Sequence, residues 1–461
     1  MTKHTFPPCS FFNTCRQDLL RKFDVNRPVF WGLLFKIWNV GAGAVTLFLI
    51  ARLFSPALQG FYYTFSTILA LQIFVELGLG TVLVQFASHE WSLLNLDQRR
   101  QICGDKTALS RLMSLTQLAI KWYFSGALVV IVAVGGVGYL FFIQSSAYDV
   151  MWRAPWIVLS LLTGAGICLV PAWSLLEGCN QVSSLYKFRF FQGVCTNLML
   201  WISIAIGLKL WAPVVASTTT LIAGMLFISW RYSAFFKQLL FYKPTGDVIG
   251  WRKDLWPMQW KIALSWACGY FLFSLFTPVL FHFHGPIIAG QFGMTWSIVG
   301  AIGGISGAWL APQAPQFGIL IARRDFEELN RRFWRATRVF MGVVVILSIS
   351  CWLFVYALNS FHPALASRLL PPSTVAVLLM AQALAVLSTP FSMYLRAHKN
   401  EPLLILSVVA GVLATISTIF FGKYYAATGV VLGYLLVNAI TTPFVFLIWS
   451  RCRKNWHGRS C

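Results

Sequence analysis

Long apolar runs alternate with short polar segments along nearly the whole chain. A hydrocarbon core needs roughly 20 apolar residues of helix to cross it. About twelve runs reach that length, near 29–52, 60–86, 122–143, 154–176, 188–208, 211–230, 256–281, 286–311, 337–357, 373–395, 402–421 and 427–449. In lipid a helix satisfies its own backbone, so the pattern predicts an all-α polytopic membrane protein. The longer runs predict tilt or unwound ends. The first 28 residues are polar and basic, with no apolar stretch ahead of a small-residue cleavage site, so the first span is expected to direct insertion itself.

Lysine and arginine fix the expected direction of the spans. Of 36, 30 fall on the N-terminus, the C-terminus and alternate loops, five on the other side (Arg52, Arg153, Lys209, Arg368 and Lys423), and Lys36 lies within a span. This asymmetry predicts that both termini are cytoplasmic. The opposite loops are short, the longest near 359–372, and leave no room for an external catalytic domain. The inner loops near 87–121 and 231–255 are the longest. In the first, Leu109, Leu112, Met113 and Leu115 form an apolar face with Arg111 opposite. Two readings stand: an interfacial helix, or the start of a helix continuing into the third span.

The segments "GFYYTFSTILAL" from Gly60 and "GQFGMTWSIVGAI" from Gly290 are weakly alike and lie 230 residues apart, half the chain. They match span 2 to span 8, and so predict two six-span halves of like orientation enclosing a central cavity. The expected division is a cytoplasmic segment at 1–28, an N-terminal six-helix lobe at 29–230, an inter-lobe cytoplasmic loop at 231–255, a C-terminal six-helix lobe at 256–449 and a cytoplasmic tail at 450–461.

Composition agrees. The chain is 58% hydrophobic and 11% charged, far below the charged quarter usual in soluble domains. The net charge of +22 is read as positive-inside bias and not as a nucleic-acid surface, since no soluble segment is long enough to fold one. The ten cysteines form no CxxC pair and no metal-ligand spacing with histidine. No phosphate-binding GxxxxGK[ST] loop occurs, so transport would draw on an ion gradient, a potential or the gradient of the substrate; no cofactor is expected. No nucleophile–base arrangement stands out, and no catalytic residue is assigned.

Charge within the spans is the remaining chemistry, because intramembrane charge is costly and is read by default as functional. Lys36 and Glu76 sit in adjacent antiparallel spans and are expected either to pair or face a cavity, or to remain apart, with Lys36 snorkelling and Glu76 satisfied locally. Lys261 enters span 7 as a cavity residue or a snorkelling one. Gln313 and Gln316, beside Pro312 and Pro315, mark a mobile inner gate or a simple helix stop. Arg396 closes span 10, as a pathway residue or an inner anchor. His282 and His284 are expected at the outer rim without a metal. Gly300 with Gly304, and Gly303 with Gly307, form small-xxx-small pairs that predict close helix packing or sliding. Pro171, Pro278 and Pro390 are candidate kinks.

The run "LIARLFSPALQGFYYTFSTILALQIFVELGLGTVLVQFASHEW" resembles the opening of polysaccharide-biosynthesis membrane proteins, the O-antigen flippases of the multidrug/oligosaccharidyl-lipid/polysaccharide (MOP) exporter superfamily. The likeness rests on Ala51, Arg52 and Leu53, on Gly60 and Phe61, and on Glu76, Leu77 and Gly78. "RLMSLTQLAIKWYF" and "APQFGILIARRDFEELNRRF" are similar to later segments of that family. The resemblance implies the MATE-like fold of two six-helix lobes around a V-shaped cavity. It also implies a flippase moving oligosaccharides linked to undecaprenyl pyrophosphate across the bacterial inner membrane, with membrane lipids and other polysaccharide-assembly proteins as partners. A drug/cation antiporter of the same superfamily and a membrane enzyme of polysaccharide assembly are the alternatives. An antiporter predicts a more acidic cavity.

Overall fold

The computed structural model describes residues 27–97, 100–143, 149–244, 246–310, 312–398 and 401–457. The expected N-terminal segment lies outside them apart from residues 27 and 28, as do residues 458–461 of the expected tail.

The first half begins with α1 (Arg27–Leu53) and α2 (Pro56–Leu69). The Ser55 hydroxyl caps α2 by accepting from the Leu58 amide at 3.2 Å, with Pro56 in the first turn, where its missing N–H costs nothing. One 3-10 turn then leads to α3 (Ile73–Glu76) and α4 (Leu79–Trp91). A hairpin of β1 (Leu94–Leu96) and β2 (Ile102–Gly104) precedes α5 (Lys106–Val129), a π turn and α6 (Gly135–Ile143). There follow α7 (Arg153–Ile167), α8 (Val170–Gly178), α9 (Val182–Ala205), α10 (Trp211–Arg231) and the short α11 (Ser233–Phe241).

The second half holds α12 (Trp256–Phe273), α13 (Phe276–Leu310), α14 (Gln313–Ala322), α15 (Phe326–Phe361), α16 (Pro363–Ala366), α17 (Pro372–Ala397) and α18 (Leu404–His457). Among the described residues, nine helical stretches are long and apolar enough to cross a membrane. The chain is therefore an all-α multi-pass membrane protein. Two of the nine are broken inside, at Gly285 (φ 83°) and at Ala426 (φ 52°). The span expected from 188 starts earlier, at Val182.

The two halves meet at the charge-poor end. There Phe61, Phe65, Phe142 and Trp156 share one core with Phe276, Phe281 and Phe292, and the Phe61 and Phe281 rings meet edge-on at 5.0 Å. The two segments of the weak repeat lie directly against each other. A Cβ on Gly60 would fall 1.9 Å from the Pro286 carbonyl oxygen, and one on Gly290 would fall 2.8 Å from the Gly60 nitrogen. Without side chains at these positions the backbones of α2 and α13 touch, the arrangement by which helices associate where lipid removes the hydrophobic drive.

At the basic end the cores separate. Leu112, Tyr123, Leu175 and Phe235 form one in the first half, joined by Met258 and Ile262 of α12. Phe317, Phe333, Phe391 and Trp449 form another in the second. The segment 106–129 is a single helix, so the helix-start reading holds and no separate interfacial helix forms. Leu112, Met113 and Leu115 are buried, and the Arg111 Nε donates to Glu90 at 2.9 Å.

The inter-half loop is fastened to the first half. The Gln238 amide accepts from the Ile102 N–H at 2.7 Å and donates to its carbonyl at 2.8 Å, extending the hairpin by one rung. Ser110 and Ser114 accept from the amides of Gly246 and Ile249, each at 3.0 Å.

Candidate functional site

Glu76 sits where its helix stops. Leu77 (φ 44°) and Gly78 (φ 66°) both take left-handed backbone, and helix resumes at Leu79. An unwound turn inside a membrane leaves carbonyls that need donors. Here the Trp122 indole donates to the Val75 carbonyl at 3.0 Å. Gly78 is required twice. Its φ strains any side chain, and a Cβ would fall 2.3 Å from Cγ2 of Ile262 on α12.

The break turns Glu76, half-buried, toward a cavity of about 500 Å³ within the first half, walled by α2–α3, α7–α8, α9 and α10. Across it, α9 presents Arg189, Gln192 and Thr196. These lie three and four residues apart and so share one helix face. The Gln192 amide donates to the Thr220 carbonyl at 2.8 Å, and the Thr196 and Thr220 hydroxyls are 2.9 Å apart. Gln72, Ser66 and Ser217 add neutral polar groups, while Leu69, Val170 and Trp173 supply apolar wall. Arg189 and Glu76 line the same space yet form no ion pair with each other, nor with any other described residue. Glu177, nearby in sequence to this face, instead accepts from the Tyr186 hydroxyl at 3.4 Å.

The expected partner of Glu76 is not there. Lys36 is exposed on α1 and makes no ion pair among the described residues. The physical reason is the packing of α1, which lies along α9: its Trp38 meets Phe190, and its Thr46 accepts from the Trp201 indole at 2.8 Å. Lys261 is exposed too, its ammonium 6.0 Å from the Trp260 ring centre. Gln313 begins α14, and Gln316 accepts from Arg332 at 3.3 Å.

A second cavity, of about 590 Å³, lies in the second half between α13–α14 and the end of α17. Gly307, Ser388 and Arg396 line it. Arg396 is held to Glu401 at 3.3 Å and is largely exposed. The glycine row on α13 does not pack as its spacing predicts. A Cβ at Gly300, Gly304 or Gly307 would meet nothing within 4 Å, and only Gly303 abuts another helix, at Gln382. Gly300 and Gly304 are exposed, and Gly307 lines the second cavity. His284 bonds to the Gly422 carbonyl at 2.7 Å, and no metal-holding cluster occurs among the described residues.

Opposite these openings, Gln59 closes the charge-poor end. It is 1% exposed, and its amide nitrogen donates to the carbonyls of Gly290 at 2.9 Å and Arg368 at 3.0 Å. Sequence reasoning missed both Gln59 and Arg189. Arg189 was counted among inner-side charges because its span was begun too late. The Arg189–Gln192–Thr196 spacing was the signal that could have found it.

Neither a protein-family model nor a curated protein matches the sequence. Solved structures do match its fold. The inward-facing conformation of a multidrug resistance MATE family transporter of the MOP superfamily covers 94% of this chain and 96% of its own, with TM-score 0.61 and 16% identity. A MATE structure in complex with MaL6 covers 94% and 95%, with TM-score 0.57 and 16% identity. The lipid II flippase MurJ in an inward closed conformation covers 90% and 87%, with TM-score 0.60 and 14% identity. The chain thus has the fold of MATE transporters and of MurJ.

Proposed function

We propose that this protein is a flippase. It moves oligosaccharide units linked to undecaprenyl pyrophosphate across the bacterial inner membrane by alternating access, for O-antigen, capsule or exopolysaccharide synthesis. The observation that carries this reading is the polar cavity of the first half, on a fold shared with a lipid II flippase. One arginine, one glutamate and several hydroxyl and amide groups suit a saccharide better than a lipophilic cation. The two six-helix lobes rock about their common core at the charge-poor end, which is the external end, and an ion gradient, a potential or the gradient of the substrate drives the cycle. The lipid tail stays in the bilayer beside the glycine-lined opening of α13. No step calls for catalysis. Lipids and other polysaccharide-assembly proteins are its partners.

A drug/cation antiporter remains the competing reading, favoured by the fold shared with a multidrug resistance MATE transporter and by Glu76 in the cavity. Arg189 in the same cavity weighs against it. The test is the leaflet distribution of lipid-linked oligosaccharide in a strain lacking the gene, probed with an externally added sugar-modifying enzyme. Complete units held on the inner face support the flippase. Normal external units reject it and move the assignment to the antiporter. External but unpolymerised units indicate an assembly enzyme.

A further inference from the structure

The first-half cavity has features that narrow its ligand. Arg189, a permanent cation near the start of α9, lines this cavity and has no carboxylate partner among the described residues. Such a charge is stable there only when an anion or water meets it. Glu76 lines the same cavity, and its carboxylate repels a multiply charged group such as a pyrophosphate. A ligand with a single negative charge, placed toward Arg189, meets both constraints. The volume of about 500 Å³ falls within the range of roughly 300–1,000 Å³ typical of small-molecule pockets. It therefore has room for one sugar-sized group, and the remainder of a longer ligand extends past its open side. The wall is amphipathic: Gln72, Ser217 and Gln192 offer hydrogen bonds, and Trp173 offers an aromatic face, itself backed by Phe188 at 5.7 Å. That combination matches a sugar ring, which carries hydroxyls at its edge and C–H groups on its faces.

We infer that this cavity is a binding site for a single saccharide residue bearing a carboxylate, a hexuronic acid or a close analogue. Arg189 pairs with the sugar carboxylate in a charge-assisted, bidentate manner. Glu76 accepts hydrogen bonds from ring hydroxyls, and Trp173 stacks on the ring. The inference rests on the flippase reading and deepens it: the unit transported contains an acidic sugar, which enters the first half while the pyrophosphate remains outside this cavity.

The test uses the full-length protein in lipid nanodiscs and saturation-transfer NMR, which detects weak binding. The probes are free D-glucuronate, D-glucose and D-glucosamine. Glucuronate should give the strongest transfer. Arg189→Gln should lower it at least tenfold, Arg189→Lys should retain part of it, and Lys423→Gln, a cation outside the cavity, should leave it unchanged. Equal transfer to glucuronate and glucose overturns the inference, as does absence of binding by all three. Preference for glucosamine that is lost in Glu76→Gln also overturns it, since the glutamate would then be the recognising charge. The leaflet assay is read separately. Flipping without glucuronate preference rejects the acidic-sugar assignment alone. Glucuronate preference without a leaflet defect rejects the flippase reading while the chemistry of the cavity stands.

Discussion

A carboxylate in an oily run raises the question of what keeps it there, and the answer lies in the two residues after it. Leu77 and Gly78 leave the helix, and the carbonyl freed by that exit is held by the Trp122 indole. Gly78→Ala adds a side chain both at positive φ and against Ile262. A non-glycine residue in such backbone costs about 1–3 kcal/mol, so the detergent-solubilised variant should unfold at a lower temperature. Adding Ile262→Ala should recover the steric part and leave the backbone part. Full recovery by the double variant would mean that φ is not strained. Trp122→Phe keeps the ring but removes the donor to Val75, and an unmet buried acceptor costs about 1–3 kcal/mol. The same thermal measurement should show that loss, and an unchanged midpoint would mean that water takes over the bond. Glu76 was legible in the sequence because charge in a span is conspicuous. Its neighbours across the cavity were not, because Arg189 lies near enough to a predicted span end to pass for an ordinary inner charge. Lys36 was misleading for the converse reason: proximity along two adjacent spans says nothing about which face each presents.

Between elements, the closest crossing is that of α2 with α13, where Gly60 and Gly290 let backbones touch and Gln59 spans the joint. The weak repeat between the two segments gave no sign that they would pack on each other. The glycine row of α13 illustrates the opposite error. Its small-xxx-small spacing is that of a packed seam, yet three of its four residues face open space. Spacing marks a smooth helix face and leaves open whether another helix covers it. The Gln59 bonds are a joint that must part whenever the charge-poor end opens. Gln59→Leu removes a second donor from the Gly290 carbonyl, which keeps its helical bond, and takes the donor from the Arg368 carbonyl, at a cost of about 1–3 kcal/mol while that group stays buried. The state closed at this end should lose population by roughly tenfold or more, since a difference of about 1.4 kcal/mol is a factor of ten. Spin labels at Arg52 and Ala364, both exposed near that end, would read the change. Their distance distribution should shift to longer values in the variant. An unshifted distribution would show that the shared aromatic core, and not Gln59, holds the end closed.

At the scale of the whole molecule, the halves share one core at the charge-poor end and keep separate cores at the basic end, where only Met258 and Ile262 of α12 join the first half, so the structure is closed on one side and largely parted on the other. Under the orientation proposed from the lysine and arginine distribution, the parted side faces the cytoplasm. Together these make a statement about access that neither makes alone. Gly307 lines the second cavity, and a side chain added there meets nothing within 4 Å. A cysteine should therefore be tolerated at this site and reached by a small, charged, membrane-impermeant thiol reagent. In a background with the native cysteines replaced, Gly307→Cys should label in inside-out vesicles and remain largely unlabelled in spheroplasts. Labelling from the outside only would reverse the orientation read from charge, and with it the direction in which the parted side takes up substrate. Labelling from neither side would mean that the gap along α13 closes in the membrane. Gln59→Leu combined with Gly307→Cys links the two ends: if the halves rock about the shared core, releasing the charge-poor end should lower labelling from the cytoplasmic side. If labelling is unchanged, the two ends open independently and a rigid-body rocking motion is wrong.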